Sequence, residues 1–444
     1  MKFDSVTVVG AGLAGSECAL QLAARGLHVF LYEMRPVVSS PAHHTEDFAE
    51  LVCSNSFKSM RVDSAAGLLK AELDRMGSFL LGFAREAAVP AGGALAVDRK
   101  AFSKLVDDAI YSNENIEVVR QEVTEIPSGQ VVICAGPLCS ESLSARIHEL
   151  VGGEALSFFD AAAPIVDAST LDMDVLFSQS RYEDSDALGD YLNAPFNKEE
   201  YEAFISELVA AKRVVLKDFE QRDLFQACQP AEEVARKGID AIRFGAMKPV
   251  GLIDPRTGHR PWAAVQLRAE NSDCTAYNLV GFQTNLTFGE QKRVFRMIPG
   301  FEKAEFFRYG VMHRNTFVDA PHVLDGTFAT LDGRVRLAGQ ITGTEGYTEA
   351  IASGLLAALN TFADANGLPA VSLPATGAFG SLVAYATDPS TVGYQPMHVN
   401  FGIVPKLTDG VRRSKRERYQ AYADRALSDL DGYIAERPDL FERC

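Results

Sequence analysis

Three glycines and one carboxylate at fixed spacing carry the first sign of chemistry in this chain. Gly10, Gly12 and Gly15 are followed, eighteen residues after Gly15, by Glu33. These residue types in this order hold a dinucleotide. Gly10 allows a tight turn, Gly12 lets backbone approach a pyrophosphate, and Gly15 lets a helix pack close to a strand. Glu33 is placed to accept hydrogen bonds from a ribose. Ala11, Leu13 and Ala14 fill the fingerprint, and Met34 and Arg35 follow the acid; all five belong to the expected cofactor-binding set. A second glycine-rich turn runs from Gly339 to Tyr347. There Gly339, Gln340, Gly343, Gly346 and Tyr347 are expected to bring the chain back to the same cofactor, with a helix N-terminus at its pyrophosphate or flavin. The fingerprint alone does not separate FAD from NAD. Its place at the head of the chain leans towards FAD.

The elements that must hold these residues are readable nearby. Ser5-Val6-Thr7-Val8-Val9 is β-branched and apolar, Ser16 to Arg25 is amphipathic, Gly26 ends it, and Val29 to Tyr32 is a second strand that delivers Glu33. Ala65 to Ala88 carries Leu68, Leu69, Leu73, Met76, Leu80 and Leu81 at helical spacing, broken at Gly92-Gly93. Ala94 to Val97, Ile116 to Val119 and Val131 to Cys134 read as strands, the last ending in Ala135-Gly136-Pro137, where small residues let backbone approach a cofactor. Polar helices such as Lys198 to Lys212, and an alternating strand pair, Ala263 to Leu267 and Ala276 to Phe282, mark a change of character. Arg334 to Ala338 then returns as a strand, and a small-residue helix, Glu349 to Ala363, follows. The organisation expected is a first part of a cofactor domain (1–157), an inserted domain (158–324) and a second part with a basic C-terminal helix (325–444).

With 444 residues the chain has room for two cores. Hydrophobic content of 47% and charged content of 23% are those of a globular protein, and no apolar run is long enough to span a membrane. The seven cysteines (Cys18, Cys53, Cys134, Cys139, Cys228, Cys274 and Cys444) lie far apart, with no CxxC pair and no zinc spacing. No metal is expected, and the odd count suggests a reducing cytoplasm. Net charge is −16, which argues against a generally basic nucleic-acid binder. Base is nevertheless clustered: Arg412, Arg413, Lys415, Arg416 and Arg418; Lys248, Arg256, His259, Arg260 and Arg268; and Arg293, Arg296, Arg308, His313 and Arg314. If two clusters converge, they make an anion-binding surface on an acidic protein.

Several long strings then resemble one family. Ala42-His43-His44-Thr45, Phe48-Ala49-Glu50-Leu51-Val52-Cys53-Ser54-Asn55-Ser56 and Pro90 to Arg99 are similar to the folate- and FAD-dependent tRNA (uracil-5-)-methyltransferases, TrmFO, formerly Gid. So are Asp160 to Pro164, Met247 to Leu252, Tyr309 to Thr316 and Asn400-Phe401-Gly402, and the likeness runs from Val6 to about Ala426. The resemblance implies an α/β fold: a Rossmann-like, GidA-related FAD-binding domain with an inserted α+β domain. It implies methylenetetrahydrofolate as carbon donor, reduced FAD as electron source, NAD(P)H as reductant, and 5-methyluridine in the tRNA T-loop as product. It also implies two functional cysteines, Cys53 and Cys228. The context of the second departs from the family's Glu-Gly-Cys-Met/Leu-Pro, since this chain has Gln226-Ala227-Cys228-Gln229-Pro230. Ala246 likewise stands where the family has Pro.

Two thiols suit that chemistry. Uracil C5 is a poor nucleophile until a thiolate adds to C6, and its proton must later leave to a base. The preferred assignment is Cys228 as C6 nucleophile and Cys53 as base or flavin-side thiol; the reverse stays open. Two other readings stand beside this one: the same chemistry on ribosomal RNA or a non-RNA acceptor, and a non-catalytic FAD-containing RNA-binding protein.

Overall fold

The computed structural model describes residues 1–40, 42–152, 156–181, 190–214 and 229–441; the side chains of 156–161 and 312–314 are not described. Its centre is a parallel sheet of five strands, in the order Val335–Leu337, Val131–Ile133, Ser5–Val9, His28–Glu33 and Ile116–Arg120. Strands buried on both faces are largely apolar: Val131–Ile133 is wholly buried and apolar, and Val335–Leu337 is wholly buried with its one charged residue, Arg336, paired to Asp364. The fold is α/β with a Rossmann-like sheet, as the fingerprint leads one to expect.

The first helix, Leu13–Ala23, is buried on all sides. A long helix, Tyr347–Asn366, lies against it so closely that a Cβ on Gly354 would come within 2.1 Å of the Ala14 carbonyl oxygen. Buried polar groups on these helices have partners. The Glu17 carboxylate accepts from the N–H groups of Phe79 and Leu80 (3.1 and 2.9 Å) and so caps the helix Phe79–Glu86. Glu72 does the same for Ala378–Ala386, accepting from Ala378 and Phe379 at 2.6 and 3.0 Å.

The helical stretch read over Ala65 to Ala88 is two helices, Ala65–Met76 and Phe79–Glu86. Gly77 takes the left-handed conformation (φ 74°) that ends the first, and the Ser78 hydroxyl accepts from the Leu81 N–H to open the second. The apolar period continues across the break because both helices face one core.

A second hydrophobic core surrounds a six-stranded sheet, ordered Phe177–Ser178, Tyr191–Phe196, Ala263–Ala269, Ala276–Leu279, Ile165–Asp167 and Phe306–Arg308. The pair expected to alternate, Ala263–Ala269 and Ala276–Leu279, is buried on both faces instead. One face packs on helices; the other carries Gln266, Arg268 and Asn278, polar side chains buried towards the rest of the molecule. A small sheet of Ser56–Ser59, Ala94–Val97 and Ala88–Val89 lies beside them, and Asn55 bonds across from it.

Candidate active site

A cleft of about 990 Å³, its open mouth included, lies at one end of the parallel sheet. All five strands deliver residues to it from their carboxyl ends: Gly10, Met34, Gln121, Cys134 and Gly339 each follow directly or closely on a strand. That is where open α/β sheets bind ligands.

Of the expected cofactor residues, Gly10, Gly12, Leu13, Ala14, Glu33, Met34, Arg35, Gly339, Gln340 and Tyr347 line the cleft. The three fingerprint glycines serve different ends. A Cβ on Gly15 would meet the Gly10 carbonyl oxygen at 1.8 Å, and one on Gly10 (φ 96°) would meet the Cys134 carbonyl oxygen at 2.6 Å. A Cβ on Gly12 would meet nothing within 4 Å, because that position faces the open cleft. Ala11, Gly15, Gly343 and Gly346 are not lining residues. The Ala11 N–H instead donates to Glu33 Oε2 at 3.0 Å. Gly343 lies against the Tyr394 ring and Gly346 against the Glu349 carboxylate, both at positive φ.

The wall holds more than the fingerprint suggests. Gln121 to Val123, Gly136, Cys139 and Ser140 all contribute, and so does His43. The strand-end rule could have pointed to Gln121; the small pair Ala135-Gly136 already did to Gly136. Burial pushes Glu33 up, but Arg35 (Nε to Oε1, 2.9 Å) and the Ala11 N–H outweigh it, so the carboxylate is held below its ordinary range. Arg35 also reaches Glu50 at 2.9 Å. Burial, with Arg35 beside it, pushes His43 down to about 4, against the pull of Glu50 and Glu33. His43 is therefore neutral at pH 7, its Nδ1 2.6 Å from the Ser40 hydroxyl.

Cys53 is a half-buried cysteine that follows directly on Val52, which lines the cleft. Its N–H and that of Ser54 both donate to the Tyr347 hydroxyl, at 2.8 and 3.1 Å. Tyr347 opens the long helix and lines the cleft, so the cysteine loop is fastened to the cofactor wall. Arg99 stands beside it, donating to Glu270 at 2.5 Å and to the Leu51 carbonyl. Burial pushes two other thiols up, Cys139 to about 11 and Cys18 well above its ordinary value, which keeps both protonated near neutral pH. Cys228 lies outside the described residues.

The family model described as Glucose inhibited division protein A matches residues 5–369. A curated relative from Enterococcus faecalis, Methylenetetrahydrofolate--tRNA-(uracil-5-)-methyltransferase TrmFO, is 51% identical over 435 residues, covering 98% of this chain and 99% of its own. One of the same name from Acetivibrio thermocellus is 49% identical with the same coverage. This chain belongs to the TrmFO family. Among solved structures, Aquifex aeolicus GidA superposes with a TM-score of 0.70 at 16% identity, covering 98% of this chain and 73% of that one, and shares the fold.

FAD is the cofactor that goes with this family fold, and the TrmFO cleft fits it. Leu13–Ala23 begins at the cleft with no side-chain cap and no acid in its first turn, so its first N–H groups suit an anion. Tyr347–Asn366 also begins at the cleft, with Glu349 in its first turn. The empty Cβ position of Gly12 gives backbone access to a pyrophosphate. Among the described residues no group of three or more His, Cys, Asp or Glu is arranged to hold a metal, and no helix is long and apolar enough to cross a membrane.

Five of the fifteen residues in the basic clusters of this TrmFO chain are held in ion pairs. Arg413 pairs with Asp409, Arg416 with Asp63, Arg256 with Asp254, Arg293 with Glu290 and Glu207, and Arg296 with Glu305. Two members turn inward instead. The Arg268 Nε donates to Asn55 Oδ1 at 2.7 Å, and Arg308 lies within electrostatic reach of Arg99, Tyr347 and Cys53. One member of each of two clusters, Arg268 and Arg308, thus comes to the neighbourhood of the cysteine loop. The side chains of His313 and Arg314 are not described.

Proposed function

We propose that this protein methylates C5 of a uridine in the tRNA T-loop, giving 5-methyluridine, with methylenetetrahydrofolate as carbon donor and NAD(P)H as reductant. The relatives that match end to end are named as methylenetetrahydrofolate-dependent tRNA (uracil-5-)-methyltransferases, which supports the folate donor, the tRNA acceptor and uracil C5. The observation that carries the reading is the fastening of Cys53 to Tyr347, which sets a thiol loop on the cofactor wall. When bound, FAD supplies passage of the one-carbon unit and the electrons that turn it into a methyl group.

The chain's own residues do the rest. Gly12 and the uncapped end of Leu13–Ala23 bind the pyrophosphate, and Glu33, kept ionised by Arg35 and Ala11, accepts from the ribose. Neutral His43 borders the same end of the cleft without adding charge. Arg99 and Arg308 bring positive charge to the Cys53 thiol, the surroundings in which a thiolate works. Cys228 as nucleophile at uracil C6, with Cys53 taking the C5 proton or acting on the flavin side, is the assignment we favour. Segment 158–324 is read as the RNA side and 1–157 with 325–444 as the FAD side. The reading places the protein in the cytoplasm, with tRNA and reduced folate.

The test is methylation of an unmodified tRNA transcript by purified protein with FAD, NADPH and methylenetetrahydrofolate, alongside Cys53→Ala and Cys228→Ala. The expected result is 5-methyluridine with the wild type and none with either variant. Methyl transfer to a ribosomal RNA fragment but not to tRNA would overturn the choice of acceptor.

A further inference from the structure

Arg308 ends the edge strand Phe306–Arg308, where the pairing with Ile165–Asp167 slips by a bulge. Bulges re-aim side chains. Here the guanidinium is largely buried and within electrostatic reach of Arg99, Tyr347, Cys53 and Glu50. Its Nε and Nη2 are buried and have no hydrogen-bond partner among the described residues. The two arginines nearest in role are not in this state. Arg99 is engaged by Glu270 and the Leu51 carbonyl, and Arg268 by Asn55. Glu50 does not close on Arg308 either, because Arg35, the His44 N–H and the Thr45 N–H hold its two oxygens.

Buried donors on a charged group are costly to leave unmade. A fold that leaves two on one guanidinium has them for something that arrives. Nε and Nη2 form one edge of the guanidinium, the edge that grips two oxygens of one anion side by side. We infer that Arg308 is a subsite for a two-oxygen anion beside Cys53. The inference rests on the proposed function, which brings two such groups to this place. One is an RNA phosphodiester next to the uridine; the other is a carboxylate on the folate's glutamyl tail. Arg308 is thus a binding residue: it holds the reactant that carries the anion, while the thiols act on the base.

The test uses the FAD-loaded full chain and direct binding, so it does not depend on methyl transfer. Arg308→Lys keeps the charge and loses the two-pronged edge; Arg308→Met loses both. Affinities are measured for a T-arm RNA hairpin and, separately, for tetrahydrofolate, by titration against the flavin absorbance. A phosphodiester ligand predicts that both variants bind the hairpin about tenfold or more weakly and bind tetrahydrofolate as the wild type does. A carboxylate ligand predicts the reverse, with a pterin lacking the glutamyl tail binding all three proteins equally. Melting temperature separates binding from support of the fold. A guanidinium that waits unpaired predicts that Arg308→Met melts at or above the wild type, whereas a structural arginine predicts a fall. The inference is overturned if both variants bind both probes within twofold of the wild type while that protein still methylates tRNA. A wild type that binds neither probe overturns the proposed function and the inference together.

Discussion

The Nε of Arg268 donates to Oδ1 of Asn55 at 2.7 Å, and this bond joins the six-stranded sheet to the chain two residues past Cys53. Asn55 completes the joint by donating from Nδ2 to the carbonyls of Val97 and Ala269, each at 2.9 Å. One buried amide therefore ties both cores to the cysteine loop. Asn55→Ala removes all three bonds and leaves Arg268 buried without that acceptor. A destabilisation of about 3 kcal/mol is expected, read by urea unfolding. Methylation should fall further than stability does, because the loop loses its seat.

Tyr347→Phe is a narrower cut. The ring stays and the hydroxyl that accepts from Cys53 and Ser54 goes. FAD content should stay near that of the wild type, while turnover falls roughly tenfold or more, the order of one lost positioning bond to a reacting group. Flavin absorbance and methyl incorporation on the same preparation check both halves of this outcome.

The glycines of the fingerprint should fail in different ways. Gly15→Ala puts a methyl 1.8 Å from the Gly10 carbonyl oxygen, and overpacking of that severity is expected to cost about 3 kcal/mol. Gly12→Ala meets no protein atom within 4 Å, so the cofactor-free protein should melt as the wild type does. Its FAD affinity should drop roughly tenfold or more, the equivalent of about 1.4 kcal/mol. Melting curves with and without FAD would distinguish the two variants; equal behaviour would contradict the geometry.

Two buried groups set opposite pH slopes. Burial pushes Glu72 up to about 7 from 4.5. Between those values the folded chain holds a proton that the unfolded chain has released, so stability falls as pH rises. Burial and Arg35 push His43 down to about 4 from 6.5. Between those values the unfolded chain holds the extra proton, so stability grows as pH rises. Each contribution is about 3 kcal/mol, and over the shared window they offset one another. In the cofactor-free protein, Glu72→Gln should therefore make stability climb more steeply with pH from about 4 to 6.5 than in the wild type. His43→Gln should make it decline relative to the wild type over the same range. Urea midpoints across pH measure both.

The cofactor end of this molecule is legible in its sequence because its signals are local. Gly10 to Glu33 is one contiguous unit, and its turn, helix and acid each follow from neighbours in the chain. The turn from Gly339 is legible for the same reason. The split at Gly77-Ser78 was written in a helix-ending glycine and a capping serine, but the unbroken apolar period masks it. The region around Cys53 is another matter. Asn55, Arg99, Arg268, Glu270 and Arg308 come from segments far apart in the chain, and nothing in their local spacing says that they meet. A basic cluster in sequence is a statement about composition. Which arginines find acids and which turn inward is decided by the sheet that carries them.

The bond between Cys53 and Tyr347 spans 294 residues, and it has a consequence in time. A ribosome adds roughly 5–20 residues per second, so about 15 to 60 s separate the two partners during synthesis. The central sheet waits as well, since its strand Val335–Leu337 emerges only just before Tyr347. Until then the cysteine loop has no tie to the cofactor wall, and that wall has no second half. The growing chain therefore carries its thiol but cannot place it, and competence to react arrives late, in the same moments that close the first core.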